Sequence, residues 1–415
     1  MIKKVRKKVP ELRFPEFHGD WQTDRIDHFL TRYVKPVDVQ LETEYEQIGI
    51  RSHGKGIFHK DPVTGEELGN KRVYWVHPEA FTVNIVFAWE QAVALTSSDE
   101  QGFIASHRFL MFLPKENRAD LKFVLLFFLR RRGKHLLELA SPGGAGRNKT
   151  LGQDSFAELK ITLPQKEEQE KIASFLGSID TRLTQLRRKH KLLQTYKRGV
   201  MQKIFSQEVR FKGAIGSEFP EWNFGLFYDC LNEIVDFRGR TPLKLGMEWG
   251  GGQIPALSAN NVKNGYIDFQ AECNLASEEL YIKWMSGVDV RKGDIVFTME
   301  APLGNATLIP DSRKYILSQR VVLFKTKQNI NNHFLIQLVW SPFFQKLLQS
   351  LSTGTTAKGI NQKSLKKMEI YYPNIEEQEK IADFLTAIDQ KIEAVVRQVD
   401  RTEQFKKGLL QKMFV

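Results

Sequence analysis

Cysteine is scarce: Cys230 and Cys273 are the only two in 415 residues. That excludes a disulfide framework and fits a reducing cytosol. Long apolar runs are missing too. The greasiest stretch, FVLLFFL at 123–129, falls well short of the roughly 20 residues a membrane span needs, and it reads as a helix of a domain core. The N-terminal MIKKVRKKVP leads into ELRFPEF with no apolar segment behind it, so no secretory signal is expected. The chain is expected to be cytoplasmic, with no membrane partner.

Catalytic signatures are absent as well. There is no G-x-x-x-x-G-K-[ST] phosphate cradle, no Asn/Asp-Pro-Pro-aromatic methyltransferase motif and no nucleophile elbow. The histidines include no H-E-x-x-H and no paired Cys/His spacing, so His53, His59, His77 and His107 do not make a metal set. GGAGRNK (143–149) is glycine-rich but reads as a loop that touches phosphate or base. PDSRK (310–314) lacks the carboxylate-x-Lys that a nuclease motif requires, and reads as a solvated turn. These absences point to a binder, with no metal and no cofactor of its own.

What the chain has is positive charge. Lys and Arg number 61 against 49 Asp and Glu, a net +12, which points to a polyanion such as nucleic acid.

It also repeats itself. EEQEKIA occurs at 167–173 and again at 376–382, an offset of 209. The likeness extends over SFAELKITLPQKEEQEKIASFLGSID (155–180) and SLKKMEIYYPNIEEQEKIADFLTAID (364–389), then YKRGVMQKIF (196–205) and FKKGLLQKMF (405–414). A weaker echo precedes each half, from Leu12 to Trp21 and from Val209 to Trp222. Two tandem halves predict a pseudo-dimer with an approximate two-fold axis.

The shared element reads as a long helix, spanning 165–205 and 374–414. Ile172, Leu176, Ile179 and Leu183 in the first copy, and Ile381, Leu385, Ile388 and Ile392 in the second, fall at spacings of four and three. Sustained over more than four heptads, the pattern predicts a coiled-coil seam, most simply an antiparallel pair. Asn374 with Glu377 forms a candidate capping box. The first helix carries no acid from Thr181 to Gln207 but does carry Arg182, Arg187, Arg188, Lys189, Lys191, Lys197, Arg198 and Lys203. Gly199 and Gly408 recur at equivalent positions, each costing about 1 kcal/mol against Ala, and this predicts a close backbone approach where the helices cross. The alternative is that each helix packs only on its own domain.

Between the helices, short β-branched and aromatic strands broken by Gly, Asn and Pro turns, then a helical stretch (120–139 and 331–351), predict an α+β domain used twice. The expected segments are 1–24, an N-terminal segment; 25–163, a first reading domain; 164–206, a central helix; 207–227, a connector; 228–372, a second reading domain; and 373–415, a C-terminal helix.

Three sets of residues carry a resemblance. They are PELRFPEF…W at the start, the twice-used P…EEQEKIA.FL..ID, and RGRTP…IPALSANNVKNG…KGDIVFT…APLG in the second domain. The chain resembles the specificity (S) subunit of type I restriction–modification systems, the HsdS family. The resemblance implies two target recognition domains, each reading half of a bipartite double-stranded DNA site, separated by two conserved helices. It implies two docked methyltransferase (M) subunits and translocating restriction (R) subunits. It also implies an S subunit without an active site, since S-adenosylmethionine, ATP and Mg2+ belong to the partners. The docking candidates are the helix residues Glu168, Gln169, Glu377 and Gln378, with the eight seam positions given above. Two other readings stay open: a fused restriction–methylation polypeptide, against which the missing motifs argue, and a coiled-coil adaptor without DNA binding.

Direct readout favours Arg or Lys on guanine and Asn or Gln on adenine. In the first domain this selects Arg51, His53, Lys55, Lys71, Arg72, Asn84 and Gln91. In the second it selects Arg238, Arg240, Lys244, Asn260, Asn261, Lys263, Gln319 and Arg320. The loops at 146–150 and 356–363 align by the 209 offset, which adds Arg147, Asn148 and Lys149 beside Lys358 and Gln362, with a shared duty at phosphates expected.

Overall fold

Two helices organise the chain. In the computed structural model, which describes residues 8–143, 149–354 and 358–415, they run from Lys166 to Phe205 and from Ile375 to Lys412. A helix of 40 residues is about 60 Å long. Compact packing divides the chain inside both helices. One unit comprises 1–186 with 398–415, and the other 187–397. The helices are therefore not a module of their own, as the linear segmentation expects. Each lends one stretch to either unit.

In the first unit Ile172, Leu176, Ile179 and Leu183 share a core with Leu409, Met413 and Phe414 from the end of the second helix. Phe123, Phe127 and Phe156 of the domain join the same core. Lys406 pairs with Asp180 at 2.5 Å. In the second unit Met201, Ile204 and Phe205 meet Ile381, Leu385 and Ile388, together with Phe227, Phe324 and Phe334, and Ile392 packs at the margin. Lys197 pairs there with Asp389 at 2.6 Å. The start of one helix thus lies against the end of the other in each unit, which is the antiparallel arrangement. The periodic apolar positions face two neighbours at once, the other helix and the domain, because the stripe is wider than a two-stranded seam needs.

The two domains share a plan. A four-stranded sheet in the first unit runs in the order Leu30–Tyr33, Phe109–Pro114, Phe81–Asn84, Val93–Leu95. Its counterpart runs Leu231–Asp236, Val321–Thr326, Ile295–Thr298, Ala306–Leu308. A second sheet follows in each: Ile57–Thr64, Glu44–Ile50, Ile104–Ser106, Val73–Trp75 in the first unit, and Asn274–Ala276, Ile254–Leu257, Ile316–Leu317 in the second. The domain is closed at its base by an antiparallel strand pair, Gln22–Arg25 on Lys160–Leu163 and Asn223–Leu226 on Glu369–Tyr372.

The helical stretches at 120–139 and 331–351 each break in two. Arg130 separates Leu121–Leu129 from Arg131–Leu139, and Ser341 separates Asn332–Trp340 from Pro342–Ser350. Pro342 cannot continue a helix and biases Ser341 to extended backbone, where the Ser341 hydroxyl accepts from Phe344 N at 3.2 Å. At Gly133 the turn is so tight that a Cβ would collide with the Phe127 carbonyl and the Phe128 backbone, so only glycine fits.

EEQ of the repeat has a structural duty. Arg13 donates twice to Glu168, at 2.8 and 2.7 Å, and Trp21 Nε1 donates at 3.3 Å. Arg210 repeats this on Glu377 at 3.2 and 2.7 Å, with Trp222 Nε1 at 3.2 Å. The hydrogen bond to its carboxylate raises each guanidinium above the ordinary arginine value. Gln169 accepts from Asp120 N and donates to the carbonyls of Arg118 and Pro164. Gln378 accepts from Asn331 N and donates to Asn329 and Pro373. Sequence reading offers Glu168, Gln169, Glu377 and Gln378 for docking, but all four are buried with their polar atoms satisfied inside the unit. Seven of the eight seam positions are buried likewise, and Ile392 is partly buried. Glu377 also completes only half of the capping box: its N–H donates to Asn374 Oδ1 at 3.1 Å, while its carboxylate serves Arg210.

The close approach expected at Gly199 and Gly408 is not there. A Cβ at either position meets no atom of the described residues within 4 Å.

Candidate nucleic-acid interface

In the second unit the end of strand Leu231–Asp236 places Asp236 beside Arg238. Arg238 forks onto it with Nε at 2.9 Å and NH2 at 2.7 Å. Gln362, the first residue of a short helix, donates to Asp236 Oδ2 at 2.8 Å. Half-burial pushes the Asp236 carboxyl up, but hydrogen bonds from Arg238 and Gln362 outweigh it and hold the group below its usual range. Asp236 in turn raises Arg238. The arginine is therefore fixed in orientation, with its planar face set before any ligand arrives.

Backbone bonds gather more candidates around it. Met299 N donates to Arg320 O at 2.8 Å, and Ile360 N to Met299 O at 2.9 Å. Glu300 bridges Gly359 and lies 4.0 Å from Arg320 Nε. Ala259 N donates to Gln319 O, which brings exposed Asn260 beside Gln319 and Arg320. Exposed Lys358 donates to Gln349 Oε1 at 3.2 Å. Arg238, Asn260, Gln319, Arg320, Lys358 and Gln362 thus belong to connected segments.

Others serve the fold. Asn261 is buried; its Oδ1 accepts from Ser258 N and Oγ, and its Nδ2 donates to the Asp268 and Glu272 carbonyls. Arg240 is drawn onto Trp284 O and Ser286 Oγ, over the Phe237 ring at 4.1 Å. Lys244 is exposed and caps Gly239 O at 2.8 Å. Lys263 is half-buried on a two-stranded hairpin with Tyr266.

In the first unit the turn at 51–56 is pinned to the segment at 88–91. His53 N donates to Glu90 O and Gly54 N to Gln91 O. His53 and Gln91 both adopt positive φ, 61° and 58°. The pinned turn presents Arg51, His53 and Lys55, all exposed, with Arg51 over the Phe58 ring at 4.6 Å. Lys149 lies over the Trp89 ring at 5.5 Å, and Trp89 Nε1 donates to Val86 O. Gln91 Nε2 donates to Phe128 O at 2.8 Å, and buried Asn84 accepts from Val86 N. Each of those two amides holds the backbone through one of the two polar atoms that a bidentate contact to adenine needs. Lys71 and Arg72 are exposed on a separate turn, where Arg72 O accepts from His107 N. Arg147 and Asn148 lie outside the described residues.

Sequence reasoning missed Asp236 and Glu300, having looked for cations and amides. The D-x-R spacing of Asp236 and Arg238 was the available signal. Among the described residues no group of three or more His, Cys, Asp or Glu is placed to hold a metal, and no helix is long and apolar enough to cross a membrane.

The sequence matches the type I restriction modification DNA specificity domain over residues 76–194 and 228–399. It is similar to the MjaVIII type I restriction enzyme specificity subunit of Methanocaldococcus jannaschii, 26% identical over 96% of this chain and 94% of that one. It is similar also to the MjaX specificity subunit of the same organism, again 26% identical, over 77% and 73%. Among solved structures, the HsdS subunit of Thermoanaerobacter tengcongensis superposes with a TM-score of 0.52 at 18% identity, over 95% of this chain and 96% of that one. The S subunit from M. genitalium does so with a TM-score of 0.54 at 16% identity, over 98% and 99%. The two domains on paired long helices, with the sequence match over both, show that the chain belongs to the type I restriction–modification DNA specificity family.

Proposed function

We propose that each unit reads one half of a bipartite duplex site, and that the chain lends this specificity to two methyltransferase subunits and to restriction subunits that carry all the chemistry. S-adenosylmethionine, ATP and Mg2+ would belong to those partners. The observation that carries this reading is Arg238, oriented by Asp236, which Gln362 holds in turn. A guanidinium held in one orientation suits the edge of a guanine.

The test is duplex binding by the complex assembled with its methyltransferase. Arg238→Ala should cost about 1–3 kcal/mol at one base pair and relax specificity there. Lys358→Ala should weaken all sequences alike and lower the salt slope by about one. Uniform weakening by Arg238→Ala would remove it from base reading.

The helices would also set the half-site spacing. The Asp180–Lys406 and Lys197–Asp389 pairs recur by the 209 offset, their members equally far apart along each helix. An insertion in one helix alone would break one register, so matched four-residue insertions are needed, after Gln185 and after its counterpart Ala394. Each adds about 6 Å. Methylation-site mapping should then show a spacer longer by one or two base pairs with both half-sites unchanged. An unchanged spacer in an active variant would refute the ruler.

A further inference from the structure

The ion pair that both units share has different surroundings in each. Asp180 of the Lys406 pair is 48% exposed, and Asp389 of the Lys197 pair 28%. Helix Leu121–Leu129 of the first unit corresponds to Asn332–Trp340 of the second, in a register fixed by Phe123 and Phe334, which meet Trp21 and Trp222 alike. Gln337 therefore stands where the first unit has Leu126, and Trp340 where it has Leu129. The second unit has added an amide and an indole beside the shared pair.

Gln337 Nε2 donates to Asp389 Oδ2 at 2.8 Å, and Lys197 Nζ lies 2.6 and 2.8 Å from the two carboxylate oxygens. The same ammonium is 5.0 Å from the centre of the Trp340 ring, whose Nε1 donates to Ala306 O at 2.9 Å. Gln337 is 2% exposed, and its Oε1 has no hydrogen-bond partner among the described residues. An orphaned buried acceptor destabilises a fold, so this network is not arranged for stability alone.

A cavity of about 660 Å³ has Lys197, Asp389 and Trp340 in its wall, a size that suits a small molecule. Met201, Ile392 and Pro342 add apolar surface. Gly265, at φ 91°, turns a hairpin against the indole, where a Cβ would lie 3.9 Å from Trp340 Cη2. Tyr266 follows it at the cavity, 58% exposed. The acids of the wall are already answered, Asp389 by Lys197 and Gln337, and Glu393 by Arg397 at 3.4 Å. Arg198, also in the wall, is exposed and has no ion-pair partner among the described residues. Asn264 Oδ1 accepts from Ala306 N at 3.0 Å, which leaves its Nδ2 to donate.

We propose that this cavity binds a nucleotide, with the base on the Tyr266 and Trp340 rings and the phosphate at Lys197 and Arg198. Asn264 would donate to the base edge. Aromatic faces stack any base, and a guanidinium bonds phosphate strongly. The cavity wall shares no residue with the base-reading candidates, and the site does not depend on the proposed role. Two sources supply the same chemistry: a free mononucleotide, or a nucleotide turned out of a nucleic-acid strand.

The experiment is calorimetric titration of the full chain with adenosine monophosphate, with adenosine, and with a short single-stranded oligodeoxynucleotide. Trp340→Leu, the residue of the first unit, should weaken binding about tenfold or more, and Trp340→Phe should retain most of it. Arg198→Gln should weaken the monophosphate about tenfold and leave adenosine unchanged. The unfolding temperature of each variant beside the parent separates lost binding from lost folding. On the wild-type chain, photo-crosslinking with azido-adenosine monophosphate should label the peptide that holds Tyr266. Binding of the monophosphate assigns a free nucleotide. Binding of the oligonucleotide alone, weakened by Trp340→Leu, assigns a strand. No binding of either, binding unchanged in Trp340→Leu, or a label confined to other peptides would overturn the site while leaving the duplex-reading role intact.

Discussion

Arg210→Ala should destabilise the second unit by about 3–5 kcal/mol, the cost of leaving one member of a buried ion pair uncompensated. The Glu377 side chain is 0% exposed and, among the described residues, only Arg210 neutralises it, at 2.7 Å. Trp222 Nε1 also donates to the carboxylate but carries no charge. Arg13→Ala should do the same to the first unit, where Glu168 is 2% exposed. Adding Glu377→Gln to Arg210→Ala should recover part of the loss, because the amide still accepts from Trp222 and no charge stays buried. Calorimetric unfolding of each variant beside the parent measures this. A shift below about 1 kcal/mol for either arginine would mean that water reaches the carboxylate and that the pair is a surface one.

Exchange of residues 228–368 for the equivalent segment of another specificity subunit should change one half of the methylated site completely and leave the other intact. The breakpoints fall inside the strand pair Asn223–Leu226 and Glu369–Tyr372, which closes the domain and stays with the scaffold. The mounting suits exchange because Gln378 holds the domain through backbone atoms, Asn331 N and Asn329 O, which any side chain at those positions supplies. The side-chain requirements include an amide at Gln337, which donates to Asp389 Oδ2 at 2.8 Å, and an aromatic at Phe334, edge-on to Trp222 at 6.5 Å. Phe123 meets Trp21 in the same way at 5.9 Å. Methylome mapping of a host carrying the chimaera reads the outcome. Change in both half-sites would show that the domains do not read independently.

The repeat made most of the scaffold legible. Apolar residues at spacings of four and three require long helices, and a copied sequence requires a copied fold, so two domains on two helices followed from letters alone. The sequence also declared the absence of catalytic motifs, since those are local and short. It could not say what the repeated polar residues do. EEQ in a helix looks like a surface, because charged residues are mostly exposed. Arg13 and Trp21 lie far from Glu168 in sequence, and only folding brings them to it.

The proposed reading surface shows the same division. Residue chemistry nominated Arg238 and Arg51, and the 209-residue offset nominated Lys149 and Gln362. They could not separate these from Asn261, Asn84 and Gln91, whose amides look equally able to read a base. That separation depends on hydrogen bonds to distant backbone atoms such as Glu272 O and Phe128 O. Spacing could place Asp236 beside Arg238, but it could not reveal the bond from Gln362, 126 residues away. The sequence by itself determined the periodicity, the duplication and the charge, because these are properties of neighbours along the chain. Tertiary structure decided which polar atoms are already satisfied and which glycines face open space, because both depend on what the fold brings alongside.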